Sequence, residues 1–335
     1  MKINSRERAL GLISGEIDSG YAVINPTSIA TSESSSSLGF SFNEAHLNAD
    51  KMSALAAYGF EKLGFDSVMP YFSVVQEAAA FGCEIDWGSE DTMPTQMSTA
   101  FTEPDDFKMP EDFLDRPPVR TVIDAIRLLR KKHPGALVIG KVMGPWTLSY
   151  HLYGMENFLI DAITDRERAF GFLNAFKQVS RTFAEAQFEA GADVITMADH
   201  ATADLVSPLV YKDLLLPIHR ELNDIFGERT LILHCCGRTL DRMAFFEEAG
   251  FRIFHFDSRN DLKTAMGTVK KMKLTGCVNN PEVLLNGSAA DVGRQVNEIL
   301  EAGIRIVSPE CAIPLRVKNS NLVKIVNSIR KSSRT

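Results

Sequence analysis

No apolar stretch in this sequence is long enough to cross a bilayer. The best segment, 136–148, falls short of the roughly 20 residues a spanning helix needs, and Lys141 interrupts it. The N-terminal Met1-Lys2-Ile3-Asn4-Ser5-Arg6 runs straight into an amphipathic stretch, without the apolar region of a secretory signal. Cysteines are few. There are five, an odd number without the spacing of a secreted disulfide framework, which fits a reducing cytoplasm. Positive charge is also short: 36 Lys and Arg against 43 Asp and Glu give a net charge of -7. With no basic cluster interleaved with aromatics, nucleic acid is not an expected partner, and neither is a membrane. There is no Walker loop, no Gly-x-Gly-x-x-Gly after a strand, no Gly-x-Ser-x-Gly and no His-Glu-x-x-His. Nucleotide-driven, hydride-transfer, serine-hydrolase and zincin chemistries therefore lack their usual signatures.

The chain does hold eight short, β-rich apolar runs. They are Tyr21–Asn25, Asp66–Pro70, Leu137–Val142, Val194–Ala198, Thr230–His234, Ile253–Asp257, Lys273–Val278 and Ile304–Ser308. Most are apolar almost throughout, as parallel strands covered on both faces should be. Helical patterns separate them, and several end in glycine: Gly64, Gly191, Gly250 and Gly303. Eight strands in strict alternation with helices predict an α/β fold, a single (β/α)8 barrel over residues 1–335. A doubly wound open sheet is the alternative that alternation alone allows. One segment breaks the rhythm: Asp86 to Pro118 is acidic, holds five prolines and has no clear period. An excursion of that length is expected to be a lid over the mouth or a solvated surface loop.

Leu231-Ile232-Leu233-His234-Cys235-Cys236-Gly237 closes the fifth run. Side chains alternate along a strand, so His234 and Cys236 share a face and Cys235 points away. An imidazole beside a thiolate suits a borderline-soft metal, above all zinc. Cys311, 75 residues after Cys236, follows the eighth run in Ser-Pro-Glu-Cys. Active sites of barrels lie at the C-terminal strand ends, where these residues converge. Three protein ligands leave one position open, the pattern of a catalytic zinc. Taken singly, each of the three is better explained as a core residue; matching strand parity and convergent strand ends together favour the metal. Cys83, Cys235 and Cys277 read as packing residues.

Other polar residues stand at strand ends: Asn25, Tyr71 with Ser73, Asp199 with His200, Asp257 and Asn279. They are expected to line the mouth around a small polar ligand, though each can equally cap the next helix. Asp199 and Asp257, carboxylates placed where chemistry normally happens, are the candidate catalytic residues. Asn25, Tyr71, Ser73 and Asn279 are the candidate binding residues. Glu77 and Glu310 are weaker candidates for a fourth metal ligand, and His151 is a candidate to line the mouth.

The His-x-Cys-Gly after strand five, with a distant Cys after strand eight, resembles the corrinoid:coenzyme M methyltransferases of the uroporphyrinogen decarboxylase superfamily. The likeness extends to Asn-Pro-Thr-Ser-Ile-Ala-Thr at 25–31, to 64–80 and to Gly-Cys-Glu-Ile-Asp-Trp-Gly at 82–88. It implies a (β/α)8 barrel that moves a methyl group from a methylated corrinoid protein to the thiol of coenzyme M or a related small thiol. The thiol would be activated as a zinc-bound thiolate, with His234, Cys236 and Cys311 holding Zn2+. The decarboxylases of the superfamily carry an Arg-rich segment after the first strand, whereas Thr27 to Gly39 has no arginine. They also use an aspartate where Ser73 stands here. Tetrapyrrole decarboxylation and a non-catalytic, zinc-stabilised docking module for corrinoid proteins are the alternative readings.

Overall fold

A computed structural model describes residues 3–332. Eight parallel strands form its centre: β1 (Ala22–Val23), β2 (Ser67–Val68), β3 (Leu137–Met143), β4 (Val194–Ala198), β5 (Thr230–Cys235), β6 (Ile253–Phe256), β7 (Lys273–Val278) and β8 (Ile306–Pro309). Each lies within the corresponding apolar run or overshoots it by one residue. Neighbours pair in the order β1-β8-β7-β6-β5-β4-β3-β2, so every strand but the end pair sits beside its sequence neighbours. The backbone N–H of Asp66 donates to Val23 O at 2.7 Å across the remaining seam. Asn25 and Ser67 reinforce that seam. The Asn25 N–H donates to Ser67 Oγ at 2.9 Å, and the Ser67 hydroxyl donates back to Asn25 Oδ1. The result is the (β/α)8 barrel, closed by this backbone bond and by side chains where β1 and β2 are only two residues long.

Helices cover the outside. Arg166–Glu189 is the longest, and its apolar stripe of Phe172, Phe176, Val179 and Phe183 is buried. From the same helix the Gln187 amide accepts from Lys141 N at 2.9 Å and donates to Lys141 O at 2.8 Å, fixing β3 to its cover. The Ala-Gly joints before β4, β6 and β8 share one geometry: Gly191, Gly250 and Gly303 have φ of 111, 94 and 95°. A left-handed residue there ends the helix and turns the chain into the next strand, and glycine adopts it without strain. Among the described residues no helix is long and apolar enough to cross a membrane.

The excursion after β2 is packed down rather than loose. It holds a two-stranded antiparallel hairpin, Ile85–Asp86 with Thr95–Gln96. Beyond it, Phe101 and Phe107 pack on each other and on Phe81 and Phe176, and Phe113 packs on Phe81 and Phe183. The acidic, proline-rich composition masked these three phenylalanines, which stand six residues apart with no apolar run around them.

Candidate metal centre

Parallel register sets the site. His234 pairs with His255 and His255 with Thr275, so the three lie in a row across β5, β6 and β7. The imidazoles of His234 and His255 lie with centroids 4.5 Å apart, tilted 33° to one another. His234 Nδ1 lies 3.2 Å from His255 O. A carbonyl only accepts, so Nδ1 carries the proton and Nε2 presents a lone pair. Nε2 faces Cys236 Sγ at 3.1 Å and Cys311 Sγ at 3.4 Å, and the two sulfurs are 2.7 Å apart. One nitrogen and two sulfurs thus converge from the ends of β5 and β8, a donor set suited to zinc.

Their protonation states also suit a metal. Burial, aided by the neighbouring His255 and His200, holds His234 well below its ordinary pKa, so the ring is neutral. A hydrogen bond from Cys236 pulls the Cys311 thiol down, helped by the ammonium of Lys141, while the same bond and burial push Cys236 well up. Of the two, Cys311 is the one whose thiol is made easier to deprotonate. Cys235 points away, as strand alternation requires, and burial pushes its thiol far up. Cys83 and Cys277 are likewise pushed up, to about 11 and about 12, as packing residues would be.

The loops behind the cluster hold it in place. Gly237 follows Cys236 with φ of 86°, and a Cβ there would come within 2.6 Å of Thr202 Oγ1. Only glycine permits both the turn and the close approach. Asp257 Oδ2 accepts the Gly237 N–H at 2.9 Å, and Oδ1 accepts Arg259 N at 2.8 Å. The Thr202 hydroxyl and the Ala203 N–H both donate to Arg238 O, at 3.0 and 2.9 Å. Fully buried Arg242 donates to Ala201 O and Val206 O.

The remaining strand-end residues are tied into their own surroundings. Asp199 accepts from Thr147 N at 2.7 Å and Trp146 N at 3.4 Å, and pairs with His219 Nε2 at 2.9 Å. Its carboxylate caps the short helix Pro145–Ser149 through those two N–H groups. The Tyr71 hydroxyl donates to Glu77, and Ser73 O accepts from Lys141 Nζ at 2.7 Å. Asn279 caps the turn 280–285 through Glu282 N and donates to Ser258 Oγ. His151 meets Gln96 of the hairpin at 2.7 Å, on the rim. The two carboxylates weighed as fourth ligands are engaged elsewhere. Glu310 accepts from Ser258 N and Asn280 N, and Glu77 from Met143 N and Tyr71.

Two residues at the site had no metal role in the sequence reading, where His200 was expected only to line the mouth. His200 offers a ligand atom within 4.8 Å of those of His234 and Cys236. The signal was present in register: Ala198 pairs with His234, so two residues on His200 stands level with Cys236. Lys141, noted only as a break in an apolar run, is buried with its ammonium 4.4 Å from the Tyr71 ring centroid.

The chain matches the Uroporphyrinogen decarboxylase (URO-D) family over residues 20–332. It is 30% identical over 305 residues to methylcobamide:CoM methyltransferase MtbA of Methanosarcina mazei, covering 90% of each chain. It is 27% identical over 328 residues to the methylated-thiol–coenzyme M methyltransferase of the same organism, covering 97% of this chain and 89% of that one. A solved methyltransferase structure from Methanosarcina mazei superposes with a TM-score of 0.95 at 25% identity, over 99% of each chain. A B12-independent methionine synthase from Shewanella shares the fold at a TM-score of 0.53 and 13% identity, over 85% of this chain and 86% of that one. The chain belongs to the uroporphyrinogen decarboxylase family, on its methyltransferase branch.

Proposed function

We propose that this protein transfers a methyl group from a methylated corrinoid protein to the thiol of coenzyme M, with zinc held by His234, Cys236 and Cys311. The observation that carries this is the convergence of His234 Nε2 and the two sulfurs within 3.4 Å of one another at the barrel mouth. The relatives named as methylcobamide:CoM methyltransferases support the donor and the acceptor. When bound, zinc would hold the acceptor thiol in its deprotonated, nucleophilic form at neutral pH. In the reaction the methyl carbon forms a bond to sulfur as its bond to cobalt breaks, the electron pair staying on cobalt.

The chain's own residues supply the rest. His234 is oriented by His255 O, so its Nε2 cannot turn from the sulfurs without losing that bond. Asp257 and Asp199 act as positioning residues, one on the loop after Cys236 and the other on the helix after β3. Asn25, Tyr71, Ser73 and Asn279 shape the walls of the mouth. Arg238 and Arg259 share Asp204 at 3.6 Å and stay 72% and 64% exposed, placing positive charge on the rim that an anionic thiol must pass. Between the hairpin and Tyr150, His151 and Met155 lies a cleft of about 530 Å3 with a largely apolar lining. Exposed Met97 and Met155 make this side suited to a bulky, partly apolar donor such as a protein-bound corrinoid.

The test is methyl transfer from methylcobalamin to coenzyme M, with other thiols and tetrahydrofolate as competing acceptors, alongside metal analysis. One zinc per chain and transfer to coenzyme M are expected, and Cys311→Ala should lose both. Zinc-free protein that retains full activity would end this reading. Chelation separates it from a docking module, because a structural zinc is needed for folding whereas a catalytic one can be removed with the fold intact.

A further inference from the structure

Three protein donors leave one position of a tetrahedral site to fill whenever no thiol is bound. The carboxylates Asp199, Asp257, Glu77 and Glu310 at this end of the barrel each already accept hydrogen bonds from backbone N–H groups. His200 is different. Its Nε2 is buried and has no hydrogen-bond partner. Its ring stands nearly perpendicular to that of His234, centroids 5.7 Å apart, and its ligand atom lies within 4.8 Å of those of His234 and Cys236.

The backbone that carries His200 is held from several sides. Its N–H donates to Thr147 Oγ1 at 2.9 Å. The residues after it are fixed by Arg242 through Ala201 O and Val206 O, and by the Thr202 and Ala203 bonds to Arg238 O. That last contact joins the loop after β4 to the loop after Cys236. A buried imidazole nitrogen left unpaired on so well fixed a backbone lacks a partner that the protein itself does not provide.

We infer that His200 is the fourth ligand of the resting centre, binding through Nε2 until the substrate thiol displaces it. This rests on the zinc reading above. In the exchange the metal–nitrogen bond to His200 breaks, the metal–sulfur bond forms, and the thiol proton leaves to solvent. His200 and the thiol then compete for one position, and the consequences are opposite in sign. Removing the ring weakens zinc retention in the absence of thiol and strengthens thiol binding. A histidine that merely packed beside the thiol, or donated to it, would leave zinc retention alone and weaken thiol binding on removal.

The experiment uses full-length zinc-loaded protein in two arms. X-ray absorption on the wild type should count two imidazoles without thiol and one at saturating coenzyme M, with sulfur ligands rising from two to three. Competition with a chromogenic chelator should show His200→Ala holding zinc roughly tenfold or more weakly than wild type without thiol. Its coenzyme M dissociation constant should fall. A single imidazole in the thiol-free wild type overturns the assignment whether or not the variant folds. Equal zinc affinity with weaker coenzyme M binding in the variant does the same. Wild type that binds no stoichiometric zinc fails the underlying reading instead, so the two failures are distinct.

Discussion

Asp257 Oδ2 accepts the backbone N–H of Gly237 at 2.9 Å, and through that bond the end of β6 fixes the residue next to Cys236. The sulfur's position is therefore set from outside the donor set. Asn260, three residues on, extends the same clamp: its amide donates to Gly237 O at 2.9 Å, and its oxygen accepts from Thr239 N at 2.7 Å. The whole turn after β5 hangs from the loop after β6. Groups one layer behind the ligands orient them and tune their affinity.

Replacing Asp257 with Ala should loosen this turn. The buried N–H of Gly237 would lose its acceptor, a destabilisation of about 1–3 kcal/mol, and the part-buried N–H of Arg259 would lose its own at a smaller cost. The melting temperature should drop, and zinc affinity should fall roughly 10–100-fold although no ligand has been removed. Thermal melts and chelator competition on the same sample check both. Unchanged zinc affinity in a destabilised variant would confine Asp257 to the fold.

The barrel and its three converging donors were legible because both depend on period and position. Continuous apolar runs placed the strands, and strand alternation separated Cys236 from Cys235. The roles of the polar strand-end residues were not legible, because a carboxylate at the end of a strand looks the same whether it faces the mouth or caps the adjoining helix. Asp199 and Asp257 read as chemistry, yet the structure spends both on backbone N–H groups. His200 and Lys141 show the converse. Recognising His200 required the register between β4 and β5, which no single strand reveals. Recognising Lys141 required knowing that a charge inside an apolar strand lies beside two cysteine thiols rather than at the surface.

Asp199 tests this distinction. Asp199→Ala removes the cap from the helix Pro145–Ser149 and leaves His219 Nε2 buried without its partner. Several kcal/mol of stability should be lost, at about 1–3 kcal/mol for each unsatisfied group. Zinc stoichiometry should survive in whatever fraction stays folded. Calorimetry with metal analysis reads both. A variant that melts like wild type but no longer turns over would return Asp199 to the chemistry.

Lys141 makes a prediction in pH. Burial lowers its pKa from 10.5 to about 8, against the opposing pull of Glu77, Cys311 and Cys236. Below about pH 8 both the folded and the unfolded chain carry the proton, and the cost of burying the charge stands in full. Between about 8 and 10.5 the unfolded chain binds more protons than the folded one, so stability from this residue rises with pH. Lys141→Met lacks that rise. The variant also loses the bond to Ser73 O and the contact with the Tyr71 ring, so its absolute stability mixes several effects. The pH dependence isolates the titration. In metal-free protein, the melting temperature of wild type relative to the variant should climb steadily from pH 7.5 to 10. A difference that stays flat across that window would mean that the buried ammonium keeps its proton at an ordinary pKa. In that case the negative partners around it, Glu77 and the two cysteines, outweigh its desolvation.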